Sequence, residues 1–227
     1  MKKIFLLTIV LIAAHNMLSA QFSFGVHTGV DINNVAISGV PNVLTTPKTV
    51  IAHPRYGVHG ILGLSESSSV KAELNYIKKG FSFDQNFTDF GINLPFGLQA
   101  SANTTLNYLE VPVLYKHNFK ISKLNLAIEA GPSLLYGLSG DISPELSFGL
   151  NFDLPGASID FADQAFNRTA VAANVGLGIE MPLAKNVNAF VQTRYSLGLT
   201  DLVDVPVVDI DTKTRTASFG VGITYVL

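Results

Sequence analysis

Residues 214–227 read TRTASFGVGITYVL. Every second residue back from the end is apolar: Leu227, Tyr225, Ile223, Val221 and Phe219. The residues between them, Ser218, Gly220, Gly222 and Thr224, are small or polar, with Val226 the exception. A period of two is the signature of a β-strand with one apolar face. The pattern runs to the last residue without a polar tail, so the apolar face must be covered by something other than the end of the chain.

The same alternation recurs upstream. Phe22, Phe24, Val26, Thr28, Val30 and Ile32 alternate with Ser23, Gly25, His27, Gly29, Asp31 and Asn33. YGVHGILGL, from Tyr56, follows it less cleanly. Val70, Ala72, Leu74 and Tyr76 face away from Lys71, Glu73, Asn75 and Ile77. Leu109, Val111, Val113 and Tyr115 oppose Glu110, Pro112, Leu114 and Lys116; Leu124, Leu126, Ile128 and Ala130 oppose Asn125, Ala127, Glu129 and Gly131. Val171 to Ile179 oppose Ala172 to Glu180, and Val187 to Leu197 oppose Asn188 to Gly198, each in steps of two. About eight strands separated by turn signals predict a sheet or barrel.

The links alternate strictly between short and long. SESSS (65–69), KISK (120–123) and LAKN (183–186) are tight, whereas 35–54, 82–103, 139–165 and 200–213 are long. In an up-and-down barrel, alternate links lie at opposite rims. Transmembrane barrels of outer membranes have short periplasmic turns and long extracellular loops. The expected fold is therefore all-β: a transmembrane up-and-down antiparallel β-barrel of about eight strands, with both termini on the short-turn side.

Composition favours lipid over water as the surroundings of the apolar face. Hydrophobic residues make up 48% and charged residues 14%, against roughly 25% charged in soluble domains. Mean hydropathy is +0.34. A soluble lipocalin-like barrel would turn the apolar face inward, but the alternate face is rich in Gly and Ala and would make a poor aqueous surface. Small residues with a few charges suit the crowded lumen of a small barrel. Phe22, Tyr56, Tyr115, Phe119, Tyr136, Tyr195 and Tyr225 fall near strand ends, where an interfacial aromatic girdle belongs. A net charge of −2 supplies no basic field for nucleic acid. With no Cys, disulfides, thiolate metal sites and a lipid anchor are excluded.

MKKIFLLTIVLIAAHNMLSA opens with two lysines, continues with an apolar run from Ile4 to Ala14 and ends on the small residues Ser19 and Ala20. This is the layout of a secretory signal peptide. The run is too short to cross a bilayer as a helix. The expected organisation is a signal peptide over 1–20 and one barrel domain over 21–227.

QFSFGVHTGVDINNV, YLEVPVLYKHNF, EAGPSLLYGLSG, FNRTAVAANVGLGIE and RYSLGLTDL together resemble the PorT-like outer-membrane beta-barrel family, widespread in Bacteroidetes. The resemblance covers the mature chain in order and implies a single outer-membrane barrel. The apolar end resembles the C-terminal signal read by outer-membrane assembly machinery, although such signals commonly end in Phe and this chain ends in Leu227. The namesake is tied to type IX secretion, but fold-level likeness does not carry that role over.

The inward positions include Lys71, Glu73, Glu110, Lys116, Glu129, Glu180 and Arg194. Charges in a narrow lumen need partners, and Glu129, Glu180 and Arg194 on successive strands predict one network. A salt-bridged structural plug outweighs a gated channel, because a lumen of about eight strands leaves little room for water. His27 and His59 face inward on neighbouring strands without further ligands for a metal; His53 and His117 have no apparent partner. No P-loop, dinucleotide loop, HExxH or nucleophile motif occurs, so neither catalysis nor a cofactor is expected. Pro112 and Pro132 interrupt strand patterns and predict bulges or unbonded ladder positions.

Phe, Leu and Ile are frequent in the long links at 82–103 and 139–165. Apolar exposed segments pack on one another, dock a protein or hold a ligand. The reading is an integral outer-membrane barrel, non-catalytic, serving as a structural or docking element of the envelope. Its expected partners are membrane lipid, the assembly machinery and an envelope protein. The alternative is a binding or transport barrel for small hydrophobic molecules.

Overall fold

The computed structural model describes residues 21–38, 51–86, 98–148, 151–159, 161, 167–200 and 211–227. Residues 1–20, read above as a signal peptide, and the central parts of the long links lie outside them. The strands are β1 (Phe22–Ser38), β2 (Ile51–Gly63), β3 (Ser68–Asn86), β4 (Leu98–Ile121), β5 (Leu124–Phe148), β6 (Asn151–Asp153), β7 (Ala157–Ile159), β8 (Thr169–Ala184), β9 (Val187–Gly198) and β10 (Asp211–Val226). No helix long and apolar enough to cross a membrane occurs among the described residues.

Every neighbouring pair is antiparallel. The order β4-β3-β2-β1-β10-β9-β8-β5 closes on itself through β4–β5, giving an eight-stranded barrel. The short β6 and β7 pair with the outer part of β5 and stand outside the closed ring. The first and last long strands pair from Ser23↔Val226 to Ser38↔Asp211, and the Leu227 amide donates to the Phe22 carbonyl at 3.1 Å. Closure leaves no sheet edge in the apolar belt, where an unpaired N–H or C=O would cost several kcal/mol.

The two faces follow the alternation. Val58, Leu74, Val113, Val175, Leu177, Val191, Phe219 and Val221 are exposed outward, while Asp31, Asn75, Glu110, Ser133 and Thr216 are buried within. Two-residue turns at Ser122–Lys123 and Lys185–Asn186 join β4 to β5 and β8 to β9, and 64–67 joins β2 to β3. Ser122 has a positive φ of 59°, as the first central residue of a primed two-residue turn does. Gln21 and Leu227 lie at this same rim, since Gly63 and Val226 bond to Gln21 and to the Asn186 turn respectively.

At the opposite rim the strands outrun the sequence reading. β5 reaches 25 residues, whereas roughly 9–11 cross a bilayer. Residues 35–38, 51–54, 82–86, 98–103, 139–148 and 211–213, read as links, are strand. They lack clean alternation because a strand clear of the bilayer no longer needs one purely apolar face.

Pro112 and Pro132 keep register. On β4, the pairing with β3 skips the rungs between Ala72↔Val113 and Asn75↔Glu110. On β5, the pairing with β4 skips those between Pro112↔Ser133 and Tyr115↔Ala130. Each proline thus sits where rungs are missing, which accommodates its absent N–H. The register shifts occur elsewhere, at Asn107/Tyr108 and at Pro182/Ala184.

Candidate functional site

The inward side chains fall into three zones from the short-turn rim to the long-link rim. The first is a polar vestibule of about 180 Å³, whose lining includes Ser23, Ser69, Asn118, Asn125, Asn188 and Thr224. Lys116 and Glu180 form an ion pair there. The Ser69 hydroxyl and the Asn118 Oδ1 are buried without a protein partner, and both line this vestibule.

The second zone is a buried ion-pair layer. Arg194 donates to both Glu73 oxygens at 2.8 and 2.7 Å and to Glu129 Oε2 at 3.2 Å. Lys71 Nζ lies 3.0 Å from Glu73 and 3.2 Å from Glu129, and donates to Gln192 Oε1 at 3.0 Å. Arg55 joins Asp31 through Nε and Nη2 at 2.8 and 3.0 Å, and reaches Glu110 through Nη1 at 2.9 Å. Asn75 ties the two halves together, donating to Glu73 at 2.9 Å and Glu110 at 3.4 Å. The fork of each arginine matches the carboxylates facing it, a geometry that lysine cannot reproduce.

A chain of oriented hydrogen bonds runs from the vestibule into this layer. Asn75 Nδ2 donates to the carboxylates, so its Oδ1 must accept from His27 Nε2 at 2.8 Å. With both rings neutral, His27 Nδ1 then accepts from His59 Nδ1 at 3.3 Å. His59 Nε2 in turn accepts from the Thr224 hydroxyl at 2.9 Å. One neighbour fixes each tautomer. The His59 ring meets Phe190 edge-on at 5.4 Å, and Lys71 stands 5.1 Å over the Phe190 ring.

The third zone is apolar on one wall. Ile77, Leu106, Tyr108, Leu135, Ile159, Phe161, Ala170 and Ala172 form a buried cluster, with Tyr108 against Phe161 at 5.8 Å. On the other wall, Lys79 donates to Thr214 and Thr216 at 3.3 and 3.5 Å, and Thr216 donates to Asn33 at 2.9 Å.

Among the described residues, buried Asp31, Glu73, Glu110 and Glu129 and half-buried Glu180 stand against buried Arg55, Lys71, Lys79, Lys116 and Arg194, so the inward charges balance. Between Arg55, Gln192, Arg194 and Ser218 the free volume is about 10 Å³, close to what one water occupies. Among the described residues no group of three or more His, Asp or Glu is placed to hold a metal.

Outside, a closed ring of strands carries an unbroken apolar belt. The model of a family described as "Outer membrane protein beta-barrel domain" matches residues 15–204. The chain belongs to that family. Outer-membrane location follows for this barrel domain, and the exposed apolar face is its lipid surface. Among solved structures, the domain is similar to Neisserial surface protein A (8% identical, 91% of this chain and 98% of that one, TM-score 0.47). It is also similar to OprG from Pseudomonas aeruginosa (13% identical, 92% and 95% covered, TM-score 0.48). Ail of Yersinia pestis is a third (12% identical, 89% and 98% covered, TM-score 0.39). None of these likenesses carries a function over to this domain. No curated protein matches the chain.

The sequence-predicted residues divide. Lys71, Glu73, Glu129 and Arg194 are directly paired, while Glu110 is joined to them through Asn75 and to Arg55. Glu180 is not part of the set with Glu129 and Arg194; its partner is Lys116, at the rim. His117, expected to be without a partner, bonds Ser68 Oγ through Nδ1 at 3.1 Å and stacks on Tyr115. That Ser–His contact has no carboxylate bonded to the ring among the described residues, so it lacks the orienting group of a nucleophilic pair. His53 Nε2 is buried without a partner. Arg55, Asp31, Asn75, Gln192 and Lys79 complete the lumen and were missed as members. Continuing the period two from Gly57 to Arg55, and from Ile77 to Lys79, would have found two of them.

Proposed function

We propose that this outer-membrane barrel is a non-catalytic structural or docking component of the envelope whose lumen is plugged. The observation that carries the reading is the buried, mutually bonded layer of Arg55, Lys71 and Arg194 with Asp31, Glu73, Glu110 and Glu129 across the barrel interior. Charge-selective pores carry rings of one sign; among the described residues, five inward cations stand against five inward anions. The apolar cluster beyond it supports the same reading. The short-turn rim faces the periplasm, where an exported chain with a signal peptide at 1–20 arrives. The outer strand extensions and long links face outward and serve as the docking side for an envelope protein. The resemblance to PorT-like barrels of Bacteroidetes supports this assignment within the family.

Liposome swelling and native co-purification test it. A closed barrel leaves sugar-loaded liposomes no more permeable than protein-free ones, and a docking role yields a stoichiometric envelope protein. Uptake of apolar solutes that depends on the protein would favour the transport reading instead.

A further inference from the structure

The lipid-facing wall is not uniform. Ala189, on the outward face of β9, is flanked by Met181 on β8 and Ile223 on β10. Its short side chain leaves a groove of about 570 Å³, lined by Val26, Leu124, Ile179, Val191 and Val221 in addition to these residues. That volume falls in the range of ligand sites, about 300–1,000 Å³. Water cannot fill it within the hydrocarbon layer, and left empty it would forfeit the dispersion contacts of its whole lining.

The charge on the adjoining rim is lopsided. The two turns beside the groove carry exposed Lys123, one residue before Leu124, and exposed Lys185, four residues after Met181. Lys120 is exposed on the same β4–β5 hairpin. The remaining short turn carries Glu66 instead. Four extended residues span about 13 Å, less than the roughly 15 Å depth of one hydrocarbon leaflet, so a single lipid can reach from the rim into the groove.

We propose that this groove is a specific phospholipid site: an acyl chain lies over Ala189, and the phosphate of an anionic lipid of the periplasmic leaflet sits between Lys123 and Lys185. The site rests on the orientation given above, with the short turns periplasmic. The two parts are separable, because the groove selects for a chain and the lysines select for charge.

The test is native mass spectrometry of the full-length barrel from nanodiscs of equal phosphatidylglycerol and phosphatidylcholine. Wild type should retain one lipid, with phosphatidylglycerol enriched roughly tenfold, as attraction of about two lysines to an anionic headgroup allows. Ala189→Phe should abolish retention. Lys123→Glu with Lys185→Glu should keep the lipid but lose the preference. Ala72→Phe, which adds the same ring to an outward position on β3, should change neither. Undiminished retention by Ala189→Phe, or an equal loss by Ala72→Phe, would overturn the site. Lipopolysaccharide bound at the groove in protein isolated from native membranes would overturn it by overturning the orientation, whatever the Ala189 result.

Discussion

Arg194→Ala removes one of the two forked cations of the lumen. Its side chain is 2% exposed and makes three charge-assisted bonds, two to Glu73 and one to Glu129. Removing one partner of a buried ion pair costs roughly 3–5 kcal/mol, because the remaining charge stays buried. Here Glu73 keeps Lys71 at 3.0 Å and Glu129 keeps Lys71 at 3.2 Å, so the cost should fall near the lower end, about 3 kcal/mol. With a urea slope of about 1–3 kcal/mol per molar, the midpoint drops by roughly 1–3 M. The assay is urea unfolding in liposomes, followed by heat-modifiable gel migration and by tyrosine fluorescence, the chain having seven Tyr and no Trp. Glu73→Gln removes the charge Arg194 chiefly faces, so the double variant should be less damaged than the two single losses added together. A coupling of about 0.5–3 kcal/mol is the expected range for touching residues. An Arg194→Ala midpoint equal to wild type, with no coupling to Glu73→Gln, would refute the ion-pair account of the lumen.

Val191 is 60% exposed on the lipid face, so Val191→Arg should destabilise by about 2–4 kcal/mol near the midplane, while Val191→Ala stays close to wild type in the same unfolding assay. A neutral Val191→Arg would mean the faces are inverted. An epitope tag at Gly156 should be reached by antibody on intact cells and one at Ser67 should not; the opposite labelling would reverse the barrel. A Cβ at Gly131 would stand 2.1 Å from the Val113 carbonyl oxygen, whereas one at Gly178 meets nothing closer than 3.4 Å. Gly131→Ala should therefore lower the unfolding midpoint by the equivalent of about 1–3 kcal/mol, with Gly178→Ala near wild type.

The faces of the barrel were legible because period two is imposed by the bilayer. Phe22 to Asn33 and Phe219 to Leu227 each point as their alternation requires. The closing pair β1–β10 followed from the need to leave no open edge. Strand ends were not legible, since beyond the belt both faces of β5 carry mixed residues and nothing marks where pairing stops. Arg55 lay against that boundary, so its inward direction went unread. Glu180 was placed on the correct face but in the wrong company. Alternation gives the direction of a side chain, whereas its height in the lumen depends on inter-strand stagger, which places Glu180 opposite Asn125 on β5 and so beside the turn. The His27–His59–Asn75 chain needed three strands in register and left no trace in any single segment.

Planar-bilayer recording of the purified barrel tests the central claim most directly. A lumen closed by the Arg194–Glu73–Lys71–Glu129 and Arg55–Asp31–Glu110 bonds predicts no steady conductance from wild type in molar salt, and brief openings once Arg55 and Arg194 are both replaced by alanine. Stable, reproducible conductance steps from the wild-type protein would contradict the plugged barrel.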